Sequence, residues 1–579
     1  MDLLVVGAAA AVVIIAVTAL APRTGVAAPL ILVLLGVAVS FLPFVPAIEI
    51  EPEWILAGVL PPLLYSTAVS MPTMDFRRDF AAIGGLSVVL VVVTSLLLGL
   101  VFSALVPGLG FAGGVALGAI VSPTDAVATS IVRRLGASPR VVTVLEGEGL
   151  LNDASALVLL RSAVAATAAS VSLAEVVGDF LWAVVGAVVC GAVVGWVGLQ
   201  VRRRVASAAL STAVSLVVPF VAYLPAEHLE ASGLVSVVTA GLITGHGAAR
   251  LRPQDRVAEN ANWHTVDMLL EGAVFLVMGL ELFALVEDVR AEHGSLWRGA
   301  GIAALAAVLV LVIRSAYVAP LLWQLSRRAR RAESLRAVLQ GMQDRIQESL
   351  AASAAPDGAA GGPAGQVPVA RARRVQRVLR RRAADIDYLT AKPLGPREGV
   401  LLVWAGMRGV VTLAAAQSLP AEFPHRSFVV LVAFGVAAGT LLVQGGTLPW
   451  VVKRLGLGGT RRVDPAQYAA LRSVIEAAAQ RMLDGDGLTR ADGSPYEPDV
   501  VARVRHDVVH DHATEEVDAR ETTHRFKQYK ELRLRTIDAQ RAALLKERSA
   551  GVHDSRQLER ALDLLDAEQI TLEMRRGPA

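Results

Sequence analysis

The chain has 579 residues, 54% of them hydrophobic and only 18% charged, with a mean hydropathy of +0.53 and a formal net charge of +3. Long uninterrupted apolar runs replace the amphipathic alternation of a soluble enzyme, which excludes a water-soluble globular body. A net charge this small offers no general surface for a polyanion, and no nucleic-acid partner is expected.

A helix needs about 20 apolar residues to cross the hydrocarbon core. Thirteen candidate runs occur in chain order, at 3–21, 26–46, 50–70, 81–106, 111–132, 141–168, 172–200, 206–224, 230–247, 266–286, 299–325, 398–419 and 427–452. The first has only Asp2 before it, with no basic n-region and no A-x-A-type cleavage site leading into a soluble domain, so it reads as a retained helix. The single cysteine, Cys190, falls within a run, so no intrachain disulfide can form. The fold class expected is therefore an all-α polytopic membrane protein of about 13 transmembrane helices, with a cytoplasmic helical tail.

Basic residues mark every second loop. They are Arg23; Arg77 and Arg78; Arg133, Arg134 and Arg140; Arg202, Arg203 and Arg204; Arg250, Arg252 and Arg256; then the Arg-rich stretch 326–396 and the tail. The loops between are short and apolar or acidic, as at Glu49, Glu51, Glu53, Glu227 and Glu230, with only Arg290, Arg298 and Arg426 as basic residues. By the positive-inside rule the N-terminus lies outside and the C-terminus in the cytoplasm of a multi-pass protein of the cell membrane.

Two regions read as soluble, which divides the chain into a transmembrane domain at 1–455, interrupted by a cytoplasmic insertion at 326–396, and a helical tail at 456–579. In the insertion, Leu335, Val338, Leu339, Met342 and Ile346 make one helical stripe, followed by a Gly/Ala/Pro linker and the basic run RARRVQRVLRRR. That run either docks on anionic lipid or is a solvated loop that fixes topology. The tail reads as two or three helices, with Leu558, Leu562, Leu565 and Leu572 in heptad-like spacing for a small bundle or a dimer contact. The stretch DGDGLTRADG is not a calcium loop, because Leu488 takes a ligand position. His506 and His510 stand one turn apart, with His512 and His524 nearby. Solvated histidines on a polar helix are the preferred reading over a metal site or a pH sensor.

The chemistry is concentrated inside the membrane. Asp125, in GAIVSPTDAVATSIV, and Asp153, in LEGEGLLNDASALVLL, lie where a charge costs several kcal/mol, so they are expected to line an ion or proton path. Pro123 removes a helix hydrogen bond, so the span should break there and expose carbonyls and half-helix ends to a cation. Thr124 adds a neutral oxygen. Glu148 and Asp153 are five residues apart, about 500° around a helix, so they should do different work. Glu148 needs a partner, and Arg314 in AVLVLVIRSAYVAPL is the natural one. For that pair a structural tie between helices is preferred; for Asp153 no basic residue is evident. Arg408 in GMRGVVTLAAA is either an ion-pathway or glycine-loop residue, or it snorkels to the membrane surface.

Several segments in order, EGEGLLNDASALVL, SPTDAVA, LPPLLYSTA, SGLVSVVTAGLITGH, FLVMGLEL and GMRGVV, resemble the monovalent cation:proton antiporters of the sodium/proton exchanger superfamily, including its bacterial NhaP-like branch. The likeness covers about residues 5–455, and the tail also resembles that of one bacterial subgroup. It implies a core of inverted repeats in which two broken helices cross near the midplane, and a dimerisation domain, hence a homodimer. It further implies that Asp153 carries sodium and proton in turn, that Asn152 orients it, and that Thr124 and Asp125 line the site. Glu148 with Arg314 would be the structural ion pair. The Asn-Asp pair implies electroneutral exchange, in keeping with one carboxylate holding one cation or one proton. Three departures bear on selectivity: Gly149 replaces a serine, Ser66 stands where some relatives have an acid, and Ala126 replaces a proline.

The reading expected is a secondary antiporter working in pH homeostasis, exchanging Na+ (with K+ and Li+ as the other candidates) for H+ by alternating access. Asp153, Asn152, Asp125 and Thr124 are its ion-binding residues, and Arg408 and Ser66 candidate pathway residues. No enzyme activity and no cofactor are expected; the transported ions and the bilayer are the partners. A tail-gated cation channel and a non-transporting membrane sensor are the competitors, the first opposed by the lack of any filter-like repeat.

Overall fold

A computed structural model of the chain describes residues 2–43, 51–168, 173–291, 295–354, 369–391, 393–459, 465–485, 488–490, 492–510 and 523–575. Their regular elements are all helices, apart from one isolated β-bridge between Thr489 and Pro495. The chain forms two compact units: residues 1–251, 255–326 and 394–461 make the first, and 252–254, 327–393 and 462–579 the second.

Among the described residues eight helices are long and apolar enough to cross a membrane: Val5–Thr24, Thr73–Leu105, Pro139–Thr167, Val177–Arg204, Ala208–His228, Pro253–Ala291, Leu296–Arg331 and Arg426–Leu455. Four shorter apolar helices, Ala28–Ser40, Trp54–Ser70, Gly110–Val121 and Gly233–Ala248, take up four more of the expected runs. The one remaining run, 398–419, is divided. Full-length crossing helices among the described residues thus number eight, and the remaining runs are shortened or broken.

Eight helices position the site and are labelled in chain order: α1 (Leu60–Ser70), α2 (Gly110–Val121), α3 (Val127–Arg134), α4 (Pro139–Ala168), α5 (Pro253–Leu280), α6 (Leu296–Ala354), α7 (Pro396–Trp404) and α8 (Val410–Gln417). The chain leaves helical geometry between α2 and α3, where Pro123 lacks a backbone donor, as expected. It breaks again between α7 and α8, where Gly406 and Gly409 flank Arg408 and carry little helix preference. α2 packs on the helix Leu90–Leu105 at backbone contact. A Cβ on Gly114 would stand 2.4 Å from the carbonyl oxygen of Gly99, and one on Gly118 would stand 2.5 Å from that of Ser95. Small residues permit this approach, and it holds the first break deep in the unit.

In the second unit the tail contains four helices, Pro465–Leu483, Pro498–His510, Thr523–Ala550 and Ser555–Met574, rather than two or three. Each buries its own apolar stripe. Leu558, Leu562, Leu565 and Leu572 pack with Leu471, Ile537 and Leu544, while Val500 and Val504 pack with Leu483 and Leu532. The heptad-like leucines are therefore spent inside the chain's own bundle. α6 runs past the expected span end at 325 as one continuous helix. Of its stripe, Met342 is exposed, and the side chains of Leu335, Val338, Leu339 and Ile346 lie outside the described residues, as does the linker 355–368. His506 and His524 are exposed; the side chain of His510 and all of His512 lie outside the described residues. Among the described residues no group of three or more His, Cys, Asp or Glu could hold a metal.

Candidate functional site

The two breaks meet. The backbone N–H of Asp125 donates to the carbonyl of Met407 at 2.8 Å, joining the α2–α3 break to the α7–α8 break. The Asp125 carboxylate accepts from the Val127 amide at 2.8 Å and also faces the Val410 amide. It therefore sits at the N-termini of both α3 and α8, where helix dipoles favour negative charge. Gly409 makes the fit possible, since a Cβ there would fall 1.3 Å from Asp125 Oδ2.

Arg408 answers at the opposite pole. Its side chain donates to the carbonyls of Val121 at 2.8 Å, Ser122 at 3.1 Å and Gly406, and its backbone N–H donates to Thr440 Oγ1 at 2.9 Å. Those first two carbonyls close the C-terminus of α2, the negative end of that half-helix. Arg408 is 3% exposed, which corrects the snorkelling alternative. Its guanidinium is held by carbonyls inside the break and has no reach to the surface.

Glu148, on α4, and Arg314, on α6, form a bidentate buried pair through Nη1–Oε1 and Nη2–Oε2, the second at 2.7 Å. Arg314 Nε also donates to the Leu402 carbonyl at 2.9 Å, in the last turn of α7. The pair continues into the site. Thr124 Oγ1 donates to Glu148 Oε1 at 3.2 Å, and Asn152 Nδ2 donates to Thr124 Oγ1 at 2.7 Å. With its nitrogen fixed on Thr124, Asn152 presents Oδ1, which has no hydrogen-bond partner among the described residues.

Asp153 is 6% exposed, its Oδ1 is likewise without a partner, and its electrostatic neighbour is Asp125. A buried carboxylate oxygen left unmet is costly unless something charged comes to it. Two uncommitted oxygens on consecutive residues are the donor set a hard monovalent cation requires, and the same carboxylate can take a proton instead. Ser66 occupies a different place. Its hydroxyl donates to Asp267 Oδ2 at 2.5 Å, from α1 to α5.

Asp267 and Glu271 fall inside the run expected at 266–286, yet the sequence reading did not single them out. The α5 helix begins thirteen residues before that run, at Pro253, which places the two acids one turn apart in mid-helix. The i, i+4 spacing of carboxylates inside an apolar segment was the available signal.

The fold and these crossed breaks define a polytopic α-helical transporter. The family model for the transmembrane sodium/hydrogen exchanger matches residues 8–364 and 376–454, and the chain belongs to that family. It is 29% identical over 509 residues, 86% of this chain and 82% of the relative, to an uncharacterized Na(+)/H(+) exchanger of Mycobacterium tuberculosis. It is 26% identical over 474 residues to a sodium, potassium, lithium and rubidium/H(+) antiporter of Bacillus pumilus, covering 78% of this chain and 62% of that one. Among solved structures, the sodium proton antiporter MjNhaP1 of Methanocaldococcus jannaschii superposes with a TM-score of 0.54 at 16% identity, over 79% of this chain and 99% of that one. Sodium/proton exchange is the activity that family membership assigns, and the family is one of transporters rather than enzymes.

Proposed function

We propose that Asp153 is the carboxylate that alternately carries Na+ and H+, with Asn152 Oδ1 as its companion ligand. The observation that carries this is the charge balance of the crossing. Glu148 is matched by Arg314, and Asp125 is met by the Val127 and Val410 amides at two helix N-termini. Of Glu148, Asp125 and Asp153, only Asp153 keeps a buried carboxylate oxygen without a partner among the described residues. One unbalanced carboxylate takes one monovalent cation or one proton, so exchange is one for one and electroneutral.

Thr124 acts through Asn152, holding its amide, and Asp125 through the helix ends it closes. Ala126 is exposed while Thr124, Asp125 and Gly149 are half-buried, so the break is not sealed inside the protein. Alternating access then moves the opening while the carboxylate stays in the core. The protein works in the cell membrane as a homodimer, with its N-terminus outside, its tail in the cytoplasm and its activity serving pH homeostasis; Arg-rich alternate loops support that orientation. K+ and Li+ are alternative cargo, a breadth supported by the printed substrates of the Bacillus relative.

The test is proton flux in sealed vesicles with a pre-set pH gradient, adding Na+, K+ or Li+ in turn to wild type and Asp153→Asn. Gradient dissipation by a cation in wild type, absent in the folded variant, is the expected result. Cation flux without proton counter-movement would instead make the protein a channel.

A further inference from the structure

Arg161 takes no part in the exchange step just described, yet it is a cation within the same span as Asp153. It follows Asp153 on α4 by eight residues, which is about 12 Å along the axis and about 80° around it. The cytoplasmic end of α4 is marked by Arg133, Arg134 and Arg140, so Arg161 stands on the outward side of the carrier carboxylate. We propose that Arg161 and Glu227 are the outer gate of the exchange path, a role that rests on the antiporter reading and deepens it.

Arg161 Nη2 donates to Glu227 Oε2 at 2.7 Å. Glu227 lies in the last turn of the helix Ala208–His228, and its other oxygen, Oε1, accepts at 2.9 Å from the amide of Gly233, the first residue of the helix Gly233–Ala248. The turn between those helices is pinned to a third, Leu173–Arg204. Trp182 Nε1 donates to the Leu229 carbonyl at 2.9 Å, and the Ser232 amide donates to the Ala183 carbonyl at 3.0 Å. Glu230 holds φ at 57°, which a non-glycine residue keeps only where its surroundings impose it. Deeper in, a Cβ on Gly195 would stand 2.8 Å from the carbonyl oxygen of Ala240, so the first and third of these helices pack at backbone contact. Glu227 is thereby fixed in a stiff three-helix block.

Arg161 reaches that block from the carrier helix with an exposed side chain. Tyr223, buried one turn before Glu227, has Glu227, Arg161 and Glu53 as electrostatic neighbours, and Glu53 belongs to an acidic loop of the outward side. Alternating access requires the carrier helix to shift against its neighbours, and an ion pair across such a seam is made in one state and lost in the other. While the pair is made, the carrier helix is held to the block at its outer end, and the guanidinium presents positive charge over the outer route to Asp153, where it repels a cation. Parting of the pair opens that route.

The experiment measures exchange against Na+ concentration in right-side-out and inside-out membrane vesicles, which present the external and the cytoplasmic face to the added ion. Wild type, Arg161→Gln, Arg161→Lys, Glu227→Gln and the double variant Arg161→Gln/Glu227→Gln are compared. Glutamine at 227 retains an acceptor for the Gly233 amide and removes only the charge. Losing the pair shifts the population toward the outward-open state, so apparent KM should fall at the external face and rise at the cytoplasmic face. Each shift should be about two- to fivefold, the worth of an exposed ion pair. Arg161→Lys should stay near wild type, and the double variant should shift no further than either single one, because the same contact is lost. A merely structural pair would lower thermal stability and leave the two KM values unmoved or moved in the same direction; that outcome in folded Arg161→Gln protein overturns the proposal. If Arg161→Gln does not insert, Glu227→Gln decides by the same criteria. Absence of exchange in wild type would instead strike the antiporter reading itself.

Discussion

The Asp125 N–H and the Met407 carbonyl, 2.8 Å apart, tie two breaks separated by some 280 residues of sequence into one structure. Four half-helix ends converge there, and the charges are shared among them by sign. The C-terminus of α2 is closed by Arg408 and the last turn of α7 by Arg314, while Asp125 serves the N-termini of both α3 and α8. Each charge compensates the dipole end it faces. Because those three residues and Glu148 hold the crossing together, Asp153 is free of structural duty.

That division of labour separates two kinds of variant. Removing Arg408 leaves the Val121 and Ser122 carbonyls without their donor, at about 1–3 kcal/mol for each buried group. Arg408→Ala should lower thermal stability as well as exchange, and Arg408→Lys should recover only part, since an ammonium lacks the planar fork that spans both carbonyls. Asp153→Asn should abolish exchange with thermal stability unchanged. Melting of the purified protein beside vesicle flux checks both; a fully stable Arg408→Ala would refute the closure role.

Breaking the Glu148–Arg314 pair from one side should cost about 3–5 kcal/mol, because a buried charge is then left uncompensated. Glu148→Gln and Arg314→Gln should each destabilise strongly, and the double variant should be more stable than the sum of the two predicts. Thermal unfolding in a double-mutant cycle reads the coupling. Additive losses would show that the two side chains act independently, contrary to their bidentate contact.

How far the site was legible follows from which signals are local. Asp125 and Asp153 stand out because each interrupts an apolar run, and Pro123 marks the first break by its chemistry alone. Arg314 could be matched to Glu148 because it is a cation inside an apolar run of its own. Arg408 could not be assigned from its neighbours, since its partners are carbonyls of a helix end far away in sequence. The second break was hidden for a related reason: glycines in an apolar run are as compatible with a packed helix as with an interruption. Asp267 and Glu271 were passed over although both fall inside the run expected at 266–286, because no local motif sets them apart. In the tail, the separation of Pro465–Leu483 from Pro498–His510 depends on two small apolar clusters assembled from different helices, which no single window of sequence displays.

Gly409 has a steric role that a methyl group tests. Gly409→Ala would place a Cβ against the Asp125 carboxylate, which must then leave the amides of Val127 and Val410. Exchange should fall by an order of magnitude or more, as about 1.4 kcal/mol of misplacement already costs tenfold. Gly439→Ala is the control, with nothing within 4 Å of the added carbon. Equal activity of the two variants would show that Asp125 need not hold its place.

In the tail, Tyr529 donates to Asp507 Oδ2 at 2.7 Å, and burial first, then this hydrogen bond, raises its hydroxyl pKa. The native state thus holds the phenolic proton more tightly than the unfolded chain. Its contribution is fully present below about pH 10 and is lost as pH rises through the raised value. Tyr529→Phe should lower tail stability by about 1 kcal/mol at neutral pH and flatten its alkaline decline. Limited proteolysis of the full-length protein across pH follows this; identical profiles would remove Tyr529 from the tail's pH response.

Gly149 offers a direct probe of cation choice. It lies on α4 one residue after Glu148 and four before Asp153, is half-buried, and an added Cβ would meet nothing within 4 Å. Gly149→Ser therefore brings a hydroxyl to the turn preceding the carrier without a clash, and the helix gains because serine restricts the unfolded chain more than glycine does. One further neutral oxygen favours the cation that most needs its water shell replaced at close range, so Na+ and Li+ should gain over K+. Vesicle flux with the three cations should show a lower apparent KM for Na+ in Gly149→Ser, with KM for K+ unchanged or raised. An unaltered order of preference, in protein of equal stability, would place residue 149 outside the reach of the bound ion and leave selectivity to Asn152 and Asp153.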